Sequence, residues 1–409
     1  MRLTTLAFTV LLATLASGTH AQAAQAASST RCTLSERDQN PPGGTAAYNL
    51  SLSRRDTSCG VAKKVMVAFH RCRHDGRAGC AKRVLATWRC RGRRSATLPL
   101  GRPRVYDGSF VCVSRGRRAE GAYQENTPAC FGAAARDPLR PCVNPTLAIY
   151  PSSDDPHALD RGAAGCMDDP VGACVFGTAP QEAKGHFAIV GDSHVLHWRG
   201  ALNVIARTYS LRGYSHSTGG CFFSPAVYLF LEGCRDWYQA TANWFTAHPE
   251  VTTAFVTANA DTPVAAQDAA ESRQIKIDGF KRAFQDLPKT VKHVIVLRDT
   301  PMSSQPTLDC VVREHEAGSA RVGEACALER SVALREDLAV VAARELKSER
   351  YGVIDLTRYF CGPAQCYPVI GGVLANGDVW GHMTVSYMRT VGPYLLRAYR
   401  RLRAHWSAA

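Results

Sequence analysis

From residue 185 onward, short apolar runs alternate with longer amphipathic ones, the pattern a parallel sheet with crossover helices requires. The apolar runs predict strands over Phe187 to Val190, Gly213 to His216, Thr253 to Thr257, His293 to Leu297 and Gly352 to Leu356. The amphipathic stretches predict helices over His194 to Tyr209, Arg235 to Ala247, Ala266 to Leu287, Leu328 to Leu346 and Thr384 to Arg403. The expected fold class is therefore α/β, a three-layer α/β/α sandwich with a five-stranded parallel sheet. Ligands of such sheets sit beyond the carboxyl ends of the strands, and the suspicious polar residues all fall there or in the loops that follow.

Ahead of this region the pattern differs. Within CGVAKKVMVAFHRC, Val61, Val65, Ala68 and Phe69 recur at helical spacing, while VLATWRC and SFVCVSRGRRAEGAY read as strands. Residues 31–125 are expected to form a small disulfide-rich α+β domain. Residues 126–184 are rich in Pro, Gly, Ala and Asp without a period and read as a disulfide-tethered linker, which leaves 185–405 as the α/β domain. At the start, Arg2 precedes an apolar run, Leu3 to Ala16, that ends in small residues. Residues 1–26 are read as a signal peptide with cleavage at Ala21-Gln22-Ala23 or Ala24-Gln25-Ala26. That run is shorter than the roughly 20 residues a spanning helix needs, so no transmembrane segment is expected and the mature chain is read as secreted, periplasmic or envelope-associated.

Composition agrees with export. The 409 residues include 16 cysteines, an even number suited to an oxidising compartment. The short loops of Cys221 with Cys234, Cys310 with Cys326 and Cys361 with Cys366 make these the favoured pairs. Zinc is the competing reading for His70, Cys72, His74 and Cys80, but their spacing fits no ordinary finger or ribbon, so no metal and no cofactor is expected. About 380 mature residues exceed what one core usually supports, hence an expectation of two domains. Residues 54–118 carry 18 Lys or Arg against 3 Asp or Glu, which accounts for the +14 of the whole chain. Such a face is either solvated or attracted to an anionic envelope polymer, and in the second case the module is a targeting element separable from the rest. Nucleic acid is excluded as a partner by export and by the lack of a binding motif. Asn49 opens an Asn-Leu-Ser sequon, relevant only where the host glycosylates.

The stretch AIVGDSHVLHWRGALNVIA predicts a buried strand that ends in the turn Gly191-Asp192-Ser193 and feeds directly into a helix. A serine there stands beside helix N-terminal amides, where an α/β protein places a nucleophile. Far downstream, Asp378 and His382 precede the last helix. Each residue also has a plain structural reading. Ser193 can cap a helix, His382 can be a satisfied turn histidine, and Asp378 and Asn259 can bond their own backbone. His194 and His197 are read as packing or substrate-contact residues, and Trp198 as core in preference to a sugar-stacking platform.

Residues 185–405 resemble the SGNH hydrolase superfamily, and more closely the extracytoplasmic SGNH domain attached to membrane acyltransferase-3 proteins that O-acylate surface polysaccharides. The resemblance is carried by GDSH with Trp198 behind it, GGCFFSPA at 219–226, CRDW at 234–237, the cysteines 310/326 and 361/366, IDLTRYFC at 354–361 and GHMTVSYMRTVGPYL from 381. It implies the flavodoxin-like SGNH fold, with Ser193 as nucleophile and His382 as its general base. The family's acid usually lies three residues before that histidine, where this chain has Val379. The candidates are Asp378 from a shifted loop, then Asp355 at the preceding strand end, then a Ser-His dyad. By the same resemblance the oxyanion hole is formed by the N–H of Ser193, the N–H of Gly220 and the side chain of Asn259.

Together with these residues, the resemblance implies an exported serine esterase or O-acyltransferase acting on acyl, above all acetyl, groups of a cell-envelope or extracellular glycan. The absence of a membrane acyl-donor domain in this chain favours hydrolysis, and a separate membrane acyltransferase as partner would favour transfer. The alternative is a catalytically inactive SGNH-fold protein that binds glycan or associates with the envelope.

Overall fold

A computed structural model of the chain describes residues 29–39, 46–74, 87–96, 104–140, 142–144, 147, 149, 174–228 and 231–407. The signal-peptide reading and the cysteines 80 and 166 lie outside the described residues.

The amino-terminal region is a five-stranded antiparallel sheet built from β1 (Thr30–Arg31), β2 (Ala46–Arg55), β3 (Arg89–Ala96), β4 (Arg104–Ser114) and β5 (Arg117–Thr127), in the order β1-β2-β5-β4-β3. Alternate residues of these strands face opposite sides. Phe110, Cys112 and Ala119 meet Val65, Met66 and Phe69 of the helix Cys59–His74 in a small closed core. Disulfides Cys32–Cys59 and Cys90–Cys112 staple it. His70 Nε2 bonds Asn49 Oδ1 at 2.7 Å and Cys72 is disulfide-bonded, so neither is available to a metal. The sequon residue Asn49 is fully buried, its amide donating to the Asp38 carbonyl at 2.8 Å.

The second sheet corrects the expected five parallel strands, since it has six and is mixed. Its strands are β6 (Cys174–Gly177), β7 (Gly185–Gly191), β8 (Leu211–Ser217), β9 (Val251–Thr257), β10 (His293–Leu297) and β11 (Tyr351–Ile354), in the order β11-β10-β9-β7-β8-β6. β7 to β11 pair in parallel, and β6 adds an antiparallel edge on β8. β6 comes from the 126–184 segment, where four residues are too few to register a period. Along β7, Phe187 and Ile189 enter one core while Ala188 and Val190 enter the other, and β9 and β10 divide in the same way. Helices His194–Tyr209 and Val385–Trp406 cover the first face, and Cys234–Ala247, Ala269–Asp286 and Leu338–Glu345 cover the second. This completes three layers.

The two sheets share a core. Tyr48, Leu50 and Val105 of the first sheet lie in the same cluster as Phe187 and Tyr394. The Tyr394 hydroxyl bonds that of Tyr48 at 2.5 Å, and Gln39 donates to the Pro393 carbonyl at 2.5 Å. Part of the 126–184 segment is equally integral. The turn Gly132–Arg136 packs on the helix Val385–Trp406, where Arg397 and the fully buried Asp137 form a two-bonded ion pair at 3.1 and 3.2 Å.

Candidate active site

The strand order places β7 between β8, which follows it, and β9, the crossover point at which an open α/β sheet leaves a crevice at its carboxyl rim. Register then fixes three loops around one spot. Gly191 pairs with Ser217 on one side and Thr257 on the other. Ser193, Gly220 and Asn259 thus leave the sheet at nearly the same height. Gly191 has no substitute: a Cβ there would lie 2.0 Å from the Thr257 carbonyl oxygen.

Ser193 has helical backbone angles and makes no capping bond. Asp192 does the fastening. Its two carboxylate oxygens accept the N–H of His194 at 2.9 Å and of Asn259 at 2.6 Å, tying the turn to the end of β9. Burial pushes its carboxyl up, against the His194 charge and these two N–H groups. The Ser193 hydroxyl is left to donate to His382 Nε2 at 2.7 Å, across 189 residues of chain.

His382 Nδ1 in turn donates to Asp378 Oδ2 at 2.6 Å. The acid four residues upstream reaches the ring because 377–382 is a hairpin tip. Asn376 pairs with Met383, the Gly377 N–H donates to the His382 carbonyl at 2.7 Å, and Gly381 has a φ of +85°. Asp378 Oδ1 accepts the N–H of Trp380 at 2.9 Å and of His382 at 3.1 Å. Burial opposes ionisation of this carboxyl, but the imidazole bond and charge together with the two N–H groups hold it below the usual carboxylate range. Asp355, the alternative acid, accepts the Thr357 N–H and faces Arg298.

The proposed oxyanion donors are only partly assembled. Among the described residues the Ser193 N–H has no partner. Gly220 sits in a turn at φ +73°, beside Leu231 and next to the Cys221–Cys234 disulfide. The Asn259 side chain donates to the Trp380 carbonyl at 3.3 Å and accepts the Asp261 N–H. Asn259 therefore stands at the rim, linked to the loop that carries Asp378 and His382.

A second pair escapes sequence reasoning. His194 is fully buried, with Nδ1 2.6 Å from Asp299 Oδ1 and Nε2 3.0 Å from the Trp380 carbonyl. Both neighbours are acceptors, so both ring nitrogens must carry protons and the ring is an imidazolium. Burial works against that charge, but Asp299, Asp192 and the Trp380 carbonyl outweigh it and raise the ring to about 10. Asp299 also accepts the Ala260 N–H, and its own N–H goes to Asp337, whose carboxyl is raised to about 6 by burial and by Asp299. His197 is the converse. It accepts the Met383 N–H at 3.3 Å, and burial, then the His194 and His382 charges, push it well below the usual histidine range. The available signal for Asp299 was its place two residues beyond β10, a carboxylate just past the carboxyl end of a buried strand. Trp198 is core.

Comparison with known proteins adds the family. A solved structure, the periplasmic domain of the Salmonella ser. Paratyphi A lipopolysaccharide acetyltransferase, is similar over 53% of this chain and 85% of that one, with 12% identity and a TM-score of 0.40, too slight a likeness to argue from. No curated protein sequence matches the chain. Residues 157–397, more than half of the chain, match the family described as "SGNH domain (fused to AT3 domains)", and with the site's sequence motifs in place the chain belongs to that SGNH family.

Proposed function

We infer that the chain is an exported serine esterase or O-acyltransferase that acts on O-acyl groups, O-acetyl above all, of a cell-envelope or extracellular polysaccharide. The observation that carries this is the hydrogen-bonded series Ser193–His382–Asp378. A serine hydroxyl is a weak nucleophile until a neighbouring base takes its proton. As Ser193 Oγ bonds the ester carbonyl carbon, its proton passes to His382 Nε2, and the ionised Asp378 stabilises the resulting imidazolium. The carbonyl oxygen becomes an oxyanion facing the Ser193 N–H, the Gly220 N–H and the Asn259 side chain, once that side chain turns from Trp380. Each such donor is worth about 3 to 4 kcal/mol. Collapse expels the sugar oxygen, which takes the proton from His382 and leaves the acyl group on Ser193. Water then gives hydrolysis, and a second sugar hydroxyl gives transfer.

Six disulfides among the described residues support a site of action outside the cytoplasm. The inactive reading drew on the displaced acid, and the Asp378–His382 bond supports the active one. For the anionic envelope polymer, the best-suited surface is β3. Arg89, Arg91 and Arg93 are exposed on this edge strand with no ion-pair partner among the described residues, whereas Arg73 and Arg94 meet Glu125 and Arg118 meets Glu120.

The test is turnover of 4-nitrophenyl acetate by the purified chain and by Ser193→Ala. A serine-dependent burst is expected, and equal background rates would defeat the reading. Adding an oligosaccharide acceptor separates the two outcomes of the acyl-enzyme: label captured by the acceptor means transfer, and free acetate alone means hydrolysis.

A further inference from the structure

We propose that Trp380 is a sugar-binding platform of the site, against whose indole face a pyranose ring of the acylated glycan stacks. This rests on the reading of Ser193 as the acyl-accepting nucleophile and adds the residue that selects carbohydrate esters over simple ones.

The backbone of Trp380 is held on both sides by site residues. Its N–H donates to Asp378, and its carbonyl accepts from His194 and Asn259. Its neighbour Gly381 packs against Met302, and the Thr300 hydroxyl donates to the Gly381 carbonyl. The side chain takes no part in this fastening and is 67% exposed. Trp88, Trp198 and Trp237 are buried, so an indole left in water is not the rule in this chain. A lone exposed apolar residue on an ordinary surface needs no explanation. This one stands between the acid and the base of the reacting series, on a loop that cannot swing away without breaking the bonds that align His382.

Chemistry selects the ligand. A pyranose presents one face of C–H groups bounded by hydroxyls, which suits a flat apolar ring with a polar N–H at its edge. A rigid aromatic with two side-chain torsions also loses little entropy on binding. Of the two parts of an acylated sugar, only the pyranose has a face broad enough to cover an exposed indole.

The experiment uses partially acetylated xylo-oligosaccharides and 4-nitrophenyl acetate with the full chain, Trp380→Phe and Trp380→Ala. Trp380→Ala is expected to lower kcat/KM on the oligosaccharide roughly tenfold more than on the aryl ester, with Trp380→Phe between. In the Ser193→Ala background, where no turnover interferes, the oligosaccharide should shield tryptophan fluorescence from acrylamide, and the shielding should vanish when Trp380→Ala is added. Equal losses on both esters, or quenching that the oligosaccharide leaves unchanged, would overturn the proposal. Should Ser193→Ala retain aryl-ester turnover, it is the enzymatic reading that fails, and the quenching arm still decides the role of the indole.

Discussion

His382 keeps its Nδ1 proton on Asp378 although the acid lies four residues upstream, one further than in related domains, because the hairpin tip 377–382 folds the carboxylate back under the ring. The consequence is a fixed tautomer: Nε2 is bare and faces the Ser193 hydroxyl. Asp378→Asn should preserve the packing but favour the other tautomer, lowering kcat on 4-nitrophenyl acetate on the order of a thousandfold or more. A loss below tenfold would mean that the aspartate only shapes the loop.

Asp299 should matter for stability as much as for rate. Replacing it by Asn leaves the buried His194 imidazolium without its counter-charge, a change that typically costs about 3 to 5 kcal/mol. Urea denaturation of Asp299→Asn should show a much lower midpoint than that of an exposed control such as Asp236→Asn.

The same pair predicts a pH dependence. His194 is raised in the folded chain to about 10, above its unfolded value of about 6.5. Its stabilising share is therefore complete below about pH 6.5 and is lost as pH rises through the folded value. Melting temperature should fall across that alkaline window in the native chain, and His194→Gln should flatten the fall. Parallel curves for the two proteins would refute a charged His194.

Gly381 is the residue that lets the hairpin tip turn. An alanine there would adopt a left-handed backbone and place its Cβ 2.7 Å from Met302 Sδ and 3.3 Å from a His194 ring carbon. We expect Gly381→Ala to cost about 1 to 2 kcal/mol in backbone conformation, before any clash, and to reduce kcat more than KM. Steady-state kinetics and a thermal melt of the one variant check both.

A separable basic module would allow residues 31–125 to be deleted without harm to small-ester turnover. The structure argues otherwise, because Tyr48, Leu50 and Val105 lie in the core that also holds Phe187 and Tyr394. Deletion should yield insoluble or partly unfolded protein. The cleaner probe is Arg89, Arg91 and Arg93 changed together to Glu, which should keep the melting temperature and abolish retention on an anionic polysaccharide column at low salt.

Much of the α/β region was legible because the central parallel strands β7, β9 and β10 are largely buried, mostly apolar runs and the helices beside them carry a periodic stripe. The strand over His293–Leu297 and the helix over His194–Tyr209 match residue for residue. Three features were not legible, each for a local reason. The helix expected over 328–346 is interrupted, because Asp337 uses its carboxylate to cap Ala339 and Val340 and to receive the Asp299 N–H. The helix Gln305–Glu316 was missed although Ser304 caps it and a proline opens it. The edge strand β6 has too few residues to show alternation. At the site, Ser193, His382 and Asp378 were readable from motif and order. The His194–Asp299 pair was not, because nothing in either local sequence announces a partner 105 residues away.

Ser193 and His382 are 189 positions apart, and the helix Val385–Trp406 that follows the imidazole loop packs against the helix His194–Tyr209 that follows the serine. A chain that has not yet reached His382 therefore carries Ser193 without its hydrogen-bond partner. On the proposed function, ester cleavage is expected only once that last helix has closed on the rest of the domain.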